Sequence, residues 1–298
     1  PHTRPTGAGV GRSVFVPDAV ERYVSHAVES VRGDLVGLTI AVDCGHGASS
    51  LTTVKALKDL GARVHAINCD YNGMDINEEC GSTHMEVISE LVKAHEVDFG
   101  IAHDGDADRV LAVDETGAEL DGDVIMAICA AHMKERGELP GDTVVATVMS
   151  NLGFERAMRD RDINVIKTKV GDRYVLDQMR TSGAMLGGEQ SGHVIFLKHT
   201  TTGDGLITAL QLAAIVRESD EPLSQLRQVM RRYPQVLENV RVADKGLLSG
   251  SSAIHDAVRA AEAELGENGR VLVRASGTEP LVRVMVEAAE TETARAIV

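Results

Sequence analysis

Apolar residues first recur at helical spacing at Val20, Tyr23, Val24, Ala27 and Val31, between Pro17-Asp18 and Gly33, which predicts a helix there. The apolar run 38–42 then ends in Asp43-Cys44-Gly45-His46-Gly47, the pattern of a buried strand feeding a glycine-rich turn. Beyond it the periodicity predicts a helix over 50–60, a strand over 63–67, a helix over 84–94, strands over 97–102 and 110–113, and a helix over 123–134. Strands and helices in alternation call for a layered α/β domain. Gly137-Glu138-Leu139-Pro140-Gly141 breaks the pattern, which restarts with strand 143–147, helix 152–159, strand 164–167, helix 173–180, strands 184–186 and 194–196, and helix 205–217. Two such units of similar size in tandem suggest a duplication. After a short helix at 223–230 and Tyr233-Pro234 the grammar changes. Strands are expected at 235–242 and 270–274 and a helix at 254–265, and 281–287 alternates apolar and polar residues. The expected architecture is therefore α/β: two tandem three-layer α/β domains with mixed sheets (14–138 and 139–232), then a small α+β domain (233–298). The Gly-, Pro- and Thr-rich stretch 1–13 reads as a linker.

The length of 298 residues fits about two domains of ~150 residues, or three smaller ones. Aromatic residues make up 3% and Trp is absent, so the cores must be built from aliphatic side chains and Met. A net charge of −15 argues against a nucleic-acid partner, which needs a basic face, and obliges any anion site to gather its cations locally. Cys44, Cys69, Cys80 and Cys129 form no Cys-x-x-Cys pair, which argues against zinc, and their scatter suits a reducing cytosol. No apolar run approaches the ~18 residues of a membrane span, and no signal-peptide pattern occurs. The chain begins at Pro1 and stops at Val298 inside a helical pattern, so both ends read as cut from something longer.

Four segments carry candidate chemistry. In Asp104-Gly105-Asp106-Ala107-Asp108-Arg109, directly after a strand, three carboxylates occur at alternate positions and project the same way from an extended or looped backbone. Such a set suits a hard cation bound through oxygen, or else a solvated acidic turn. A calcium EF-hand loop is rejected, because its sixth position is Arg109 rather than Gly and a strand, Val110-Leu111-Ala112-Val113, follows. Gly187-Gly188-Glu189-Gln190-Ser191-Gly192-His193 offers Glu189, Ser191 and His193 at alternate positions, a mix of acceptor, hydroxyl and imidazole suited to a sugar ring. A plain glycine-rich hairpin explains it as well. Arg274-Ala275-Ser276-Gly277-Thr278-Glu279-Pro280, with Arg283 on the strand beyond, combines backbone donors at a Gly turn, two hydroxyls and two guanidinium forks, the makings of a phosphate site or of a polar hairpin. Lys169 and Arg173 flank Gly171 before a helix, which is another place for an anion, with Asp172 equally an N-cap. His46 and the segment 200–204 read as turn chemistry.

In this order and at these separations the motifs resemble the α-D-phosphohexomutase superfamily over nearly the whole chain from about Val14. DGDADR is similar to its metal loop, GGEQSGH to its sugar-recognition loop and RASGTEPLVRVMVE to its phosphate-binding loop. Lys169-Val170-Gly171-Asp172-Arg173-Tyr174-Val175 and His199-Thr200-Thr201-Thr202-Gly203-Asp204-Gly205 resemble the phosphoglucosamine mutase branch. The resemblance implies a four-domain, cytoplasmic enzyme that interconverts glucosamine 6-phosphate and glucosamine 1-phosphate through a phosphoserine and a bisphosphorylated sugar, with allowance for a homodimer of the complete protein. It implies Mg²⁺ on Asp104, Asp106 and Asp108, Arg109 beside the transferring group, and sugar hydroxyls on Glu189, Ser191 and His193. It further implies the second phosphate on Arg274, Ser276, Gly277, Thr278 and Arg283, held by a mobile small domain, with Lys169 and Arg173 near the ligand. Two departures stand out. No Ser-Ala-Ser-His-Asn-Pro-like serine loop occurs, so 1–13 reads as the end of a first domain and the chain alone is expected to be inactive. Ala107 stands where the family's metal loop has Gly, a change expected to be tolerated.

Overall fold

A computed structural model describes residues 4–242, 247–276 and 280–298. Helix α1 (Ala19–Glu29) precedes strand β1 (Thr39–Asp43), α2 (Thr53–Asp59), β2 (Arg63–Ile67), α3 (Met85–His95), β3 (Phe99–His103), β4 (Val110–Asp114) and the two-residue β5 (Glu119–Leu120). The second series is α4 (Gly122–Glu135), β6 (Thr143–Thr147), α5 (Leu152–Arg159), β7 (Asn164–Thr168), α6 (Asp172–Ser182), β8 (Leu186–Gly188), β9 (Val194–Phe196), α7 (Gly205–Ser219) and α8 (Leu223–Leu226). The last unit holds β10 (Gln235–Arg241), α9 (Leu247–Gly250), α10 (Ser252–Leu265), β11 (Gly269–Ala275), β12 (Leu281–Ala288) and α11 (Thr291–Ile297).

The first sheet runs β2-β1-β3-β4-β5 and the second β7-β6-β8-β9. In each, the second strand in this order, β1 or β6, pairs in parallel with both neighbours and the sheet then turns back through an antiparallel hairpin, β3–β4 in one and β8–β9 in the other. The two α/β units thus repeat one topology, and the Asp104–Arg109 and Glu189–His193 loops occupy the same hairpin position in it. The third sheet, β10-β12-β11, is wholly antiparallel.

Helices α4 and α7 lie between the two sheets: α4 packs on β4, β5 and β8, and α7 on β4 and β9. This is why neither shows a narrow apolar stripe. From Gly122 to Ala130 every residue of α4 is buried, and ten residues of α7 are, as a helix covered on both faces requires. Their side chains join α1, α2, α5 and the inner faces of both sheets in one continuous core. The outer face of the first sheet is covered by α3 through Ile88 and Val92, and that of the second by α6 through Val175 and Met179.

Some expectations shift. The strand placed at 184–186 lies at Leu186–Gly188, and the helix placed at 223–230 is a single turn, α8, followed by a 3₁₀ turn over Arg227–Val229. Asp172 is not the cap of α6; Gly171 is, at φ 128°, and it has no side chain with which to cap. The segment 200–204 does serve as turn chemistry, since Asp204 caps α7 by accepting from the Ile207 N–H at 2.9 Å and from the Tyr23 hydroxyl at 2.8 Å. The alternation predicted for 281–287 fails at its end, where Val286, Glu287 and Ala288 are all buried.

Candidate functional site

The β3–β4 hairpin gathers Asp104, Asp106 and Asp108 so that one carboxylate oxygen of each lies within 4.8 Å of the others. Ala107 makes the sharp reversal, at φ 59°, and its N–H donates to Asp104 O at 3.1 Å. The loop is clamped on two sides. The Ala48 N–H donates to Gly105 O at 2.9 Å, and the Gly205 N–H at the start of α7 donates to Ala107 O at 2.9 Å. Gly47 and Gly205 permit this approach: a Cβ on Gly47 would lie 2.3 Å from Gly105 O, and one on Gly205 2.5 Å from Arg109 O.

Three carboxylates held this close repel one another, and the strain is visible in their chemistry. Burial, then the Asp108 charge, push the Asp104 carboxyl up to about 7. Arg109 reaches back at 3.6 Å to Asp104 and 3.4 Å to Asp108 but stays half exposed. Asp108 Oδ1 is buried without a hydrogen-bond partner. A converging oxygen set with a buried acceptor that makes no hydrogen bond and only a 3.4 Å ionic contact with Arg109 fits a hard divalent cation such as Mg²⁺.

The Glu189–His193 loop lies directly beside the carboxylates, since the Val110 N–H donates to Gly192 O at 3.2 Å. Gly192 stands at φ 93°, and a Cβ there would lie 2.4 Å from Val110 O. The shared face expected of Glu189, Ser191 and His193 is not formed. Ser191 is exposed and Glu189 half-buried, but His193 is 4% exposed and turned inward. Its Nε2 accepts from the Gly203 N–H at 2.9 Å, so Nδ1 carries the proton and donates to Asp108 Oδ2 at 3.1 Å. The imidazole therefore braces a carboxylate and is turned away from solvent. Nothing in the alternating pattern of the motif announces this, because the partner lies 85 residues away.

Glu189 Oε1 accepts from the Gly171 N–H at 2.9 Å, which ties the Lys169–Arg173 segment to the same loop. Lys169 and Arg173 are exposed, and Arg173 makes only a loose 3.9 Å contact with Asp177.

In the third unit Arg274 and Arg283 are direct cross-strand partners on β11 and β12. Like charges opposed in this way are unfavourable unless an anion joins them, and burial, with the Arg283 charge beside it, lowers the Arg274 pKa. Ser276 is buried and its N–H donates to Leu281 O at 2.8 Å. Gly277 and Thr278 lie outside the described residues.

One group of polar residues escaped sequence reasoning. Glu287, fully buried, accepts from Arg270 at 2.7 Å, from the Leu152 N–H at 2.8 Å and from Asn151 Nδ2 at 3.2 Å. Asn151 also holds the linker into the third unit, donating to Tyr233 O and accepting from the Tyr233 N–H, both at 2.9 Å. Arg270 goes on to Glu155 at 3.2 Å and to Ser150 O. Asp123, also fully buried, accepts from the Asn151 N–H at 2.7 Å. Burial, then the Asp121 charge, push its carboxyl up to about 8. The small domain is thus moored to the second unit by a buried ionic network.

Three models of phosphoglucomutase/phosphomannomutase domains match in order: α/β/α domain II over residues 21–117, α/β/α domain III over 121–233 and the C-terminal domain over 237–298. A Rhodococcus opacus (strain B4) protein named phosphoglucosamine mutase is 54% identical over 291 residues, covering 98% of this chain and 65% of its own length. One of the same name from Symbiobacterium thermophilum is 56% identical over 284 residues, 95% of this chain and 63% of its own. The chain thus spans about 65% of the length of the curated relatives it matches. Among solved structures, a phosphoglucomutase/phosphomannomutase family protein from Burkholderia thailandensis superposes with a TM-score of 0.78 at 24% identity, over 93% of this chain and 62% of that one. An Aspergillus fumigatus N-acetylphosphoglucosamine mutase in complex with GlcNAc-6P and magnesium gives 0.75 at 23% identity, over 93% and 63%. At these identities the structures speak for the fold.

Proposed function

Because the chain belongs to the phosphoglucomutase/phosphomannomutase family, we propose that it is the metal- and sugar-phosphate-binding portion of a phosphoglucosamine mutase, which interconverts glucosamine 6-phosphate and glucosamine 1-phosphate. The observation that carries this reading is the convergence of Asp104, Asp106 and Asp108 on one hairpin tip, with the Glu189–His193 loop bonded alongside. In the proposed reaction a phosphoseryl group gives its phosphoryl to the sugar, the bisphosphorylated sugar reorients, and the other phosphate returns to the serine.

Phosphoryl transfer depends on positioning and charge neutralisation. Asp104, Asp106 and Asp108 would hold Mg²⁺, which when bound supplies positive charge to the transferring oxygens. His193 fixes Asp108, and Arg109 adds a guanidinium beside it. Glu189 and Ser191 would take sugar hydroxyls, with Lys169 and Arg173 approaching from the loop that Glu189 tethers. Arg274, Ser276, Gly277, Thr278 and Arg283 would grip the idle phosphate. That grip must accept either end of the sugar, and closure of the small domain would bring it into position.

The sequence contains no serine loop of the Ser-Ala-Ser-His-Asn-Pro type. The chain by itself is therefore expected to bind glucosamine 6-phosphate without turning it over. Calorimetric titration in Mg²⁺ should give saturable heat that disappears in Asp106→Asn. Turnover by the complete protein should be fastest on glucosamine phosphate; preference for glucose or mannose phosphates would overturn the substrate assignment.

A further inference from the structure

We propose that Cys44 and Cys69 form a reversible disulfide on exposure to hydroperoxides, and that this bond acts on the seat of the carboxylate loop. The two sulfurs are 3.4 Å apart, at the ends of the paired strands β1 and β2. A disulfide needs ~2.05 Å, so side-chain rotation with a small backbone shift closes the gap. The Cys44 N–H already donates to Ile67 O at 3.2 Å, which fixes the two strand ends side by side.

The two thiols are unequal, as such a pair requires. Cys44 is fully buried, whereas Cys69 is partly exposed, two residues beyond the end of the edge strand β2. The hydrogen bond with Cys44 lowers the Cys69 pKa, and the same contact together with burial raises that of Cys44. The thiolate is the nucleophile, so Cys69 attacks first. The remaining cysteines are buried, and burial pushes Cys80 up to about 11 and Cys129 up to about 12.

The Cys69 thiolate attacks one peroxide oxygen, the O–O bond breaks, and sulfenic acid and hydroxide form. The Cys44 sulfur then attacks the sulfenic sulfur, the S–O bond breaks, and water leaves with the Cys44 proton. Two sulfurs have lost one electron each and one peroxide has gained two. A dithiol reductant reverses the step by exchange.

Cys44 sits in the turn that seats the carboxylate loop. Gly45 donates to Asp43 at 2.8 Å, and Ala48 donates to Gly105 O at 2.9 Å. Drawing Cys44 toward Cys69 displaces that seat. This consequence rests on the metal reading of Asp104, Asp106 and Asp108; the disulfide itself does not.

The test treats the 298-residue chain with about one equivalent of hydrogen peroxide, blocks remaining thiols with N-ethylmaleimide, and maps peptides by mass. The expected result is a Cys44–Cys69 linked peptide with Cys80 and Cys129 alkylated, restored to four alkylated thiols by dithiothreitol and absent from Cys69→Ser. Sulfinic acid on Cys69 with Cys44 still alkylated, or a link to Cys80, would overturn the site. Calorimetric Mg²⁺ titration of the oxidised form should show affinity reduced about tenfold, the scale on which displaced ligand supports act. Unchanged affinity in a fully cross-linked sample would overturn the coupling to the loop while leaving the disulfide standing.

Discussion

At the scale of single residues, the hairpin tip is held by a few substitution-sensitive positions. Ala107 adopts φ 59°, a conformation that costs an L-residue roughly 1–2 kcal/mol. The clamps from Ala48 and Gly205 hold it there. His193 has a different kind of leverage. It keeps Asp108 aimed at its neighbours through Nδ1 while Nε2 is fixed by the Gly203 N–H. A Cβ on Gly203 would come within 2.5 Å of the imidazole, so only glycine lets the backbone approach the ring this closely. His193→Phe keeps the volume and removes both bonds. It should weaken Mg²⁺ binding about 10–100-fold, the usual cost of losing a group that orients a ligand, and leave the helical circular dichroism spectrum unchanged. Calorimetric titration checks this. Unaltered affinity would mean that Asp108 needs no brace.

At the scale of elements, most of the secondary structure was legible because its cause is local. The 3.6-residue recurrence at Val20 to Val31 and the apolar runs before each glycine-rich turn report on one helix or strand at a time. The three candidate loops were legible as motifs for the same reason. What was not legible depends on pairs far apart in the chain: α4 and α7 filling the space between two sheets, His193 reaching Asp108, and a buried glutamate where the β12 alternation predicts an exposed one. The N-terminus of α4 gives a measurable case. Asp123 is buried and keeps its proton up to about pH 8, whereas the unfolded chain releases it near its ordinary value of 3.8. Between those values the folded state binds more protons than the unfolded one, so stability falls as pH rises through this window. Asp104 acts in the same direction up to about pH 7, and a bound cation would relieve it. Asp123→Asn can still accept from the Asn151 N–H, and it offers a donor near the unpartnered Ser150 Oγ. Urea denaturation between pH 5 and 8.5 should therefore show the variant losing less stability than the parent, by at least about 1 kcal/mol. Parallel curves would place the protonated group elsewhere.

At the scale of the molecule, the two α/β units share one core and should unfold together, while the small domain is joined to them mainly by polar contacts. Its own apolar cluster around Leu265, Val286, Ala288 and Ala294 is separate from the main core. The moorings to the second unit are Glu287 on Asn151 and Leu152, Arg270 on Glu155 and Ser150, and Arg156 stacked on Tyr233 at 5.0 Å. Under the proposed function the small domain closes on either end of a sugar bisphosphate, and polar moorings suit that motion, because hydrogen bonds can be exchanged for others while an apolar interface resists it. Arg270 is the residue on which the network turns, since among the described residues it is the cation that neutralises Glu287, whose carboxyl burial would otherwise push further up. Arg270→Leu leaves that carboxylate buried and uncompensated, a loss of roughly 3–5 kcal/mol, and the loss falls on the junction rather than on the shared core. Calorimetry should then resolve two unfolding transitions, the earlier one belonging to 235–298, with the later one close to that of the parent. The double variant Arg270→Leu with Glu287→Gln should recover part of the earlier transition. A single transition displaced as a whole would mean that all three units unfold as one body and that the small domain is not separable from the other two.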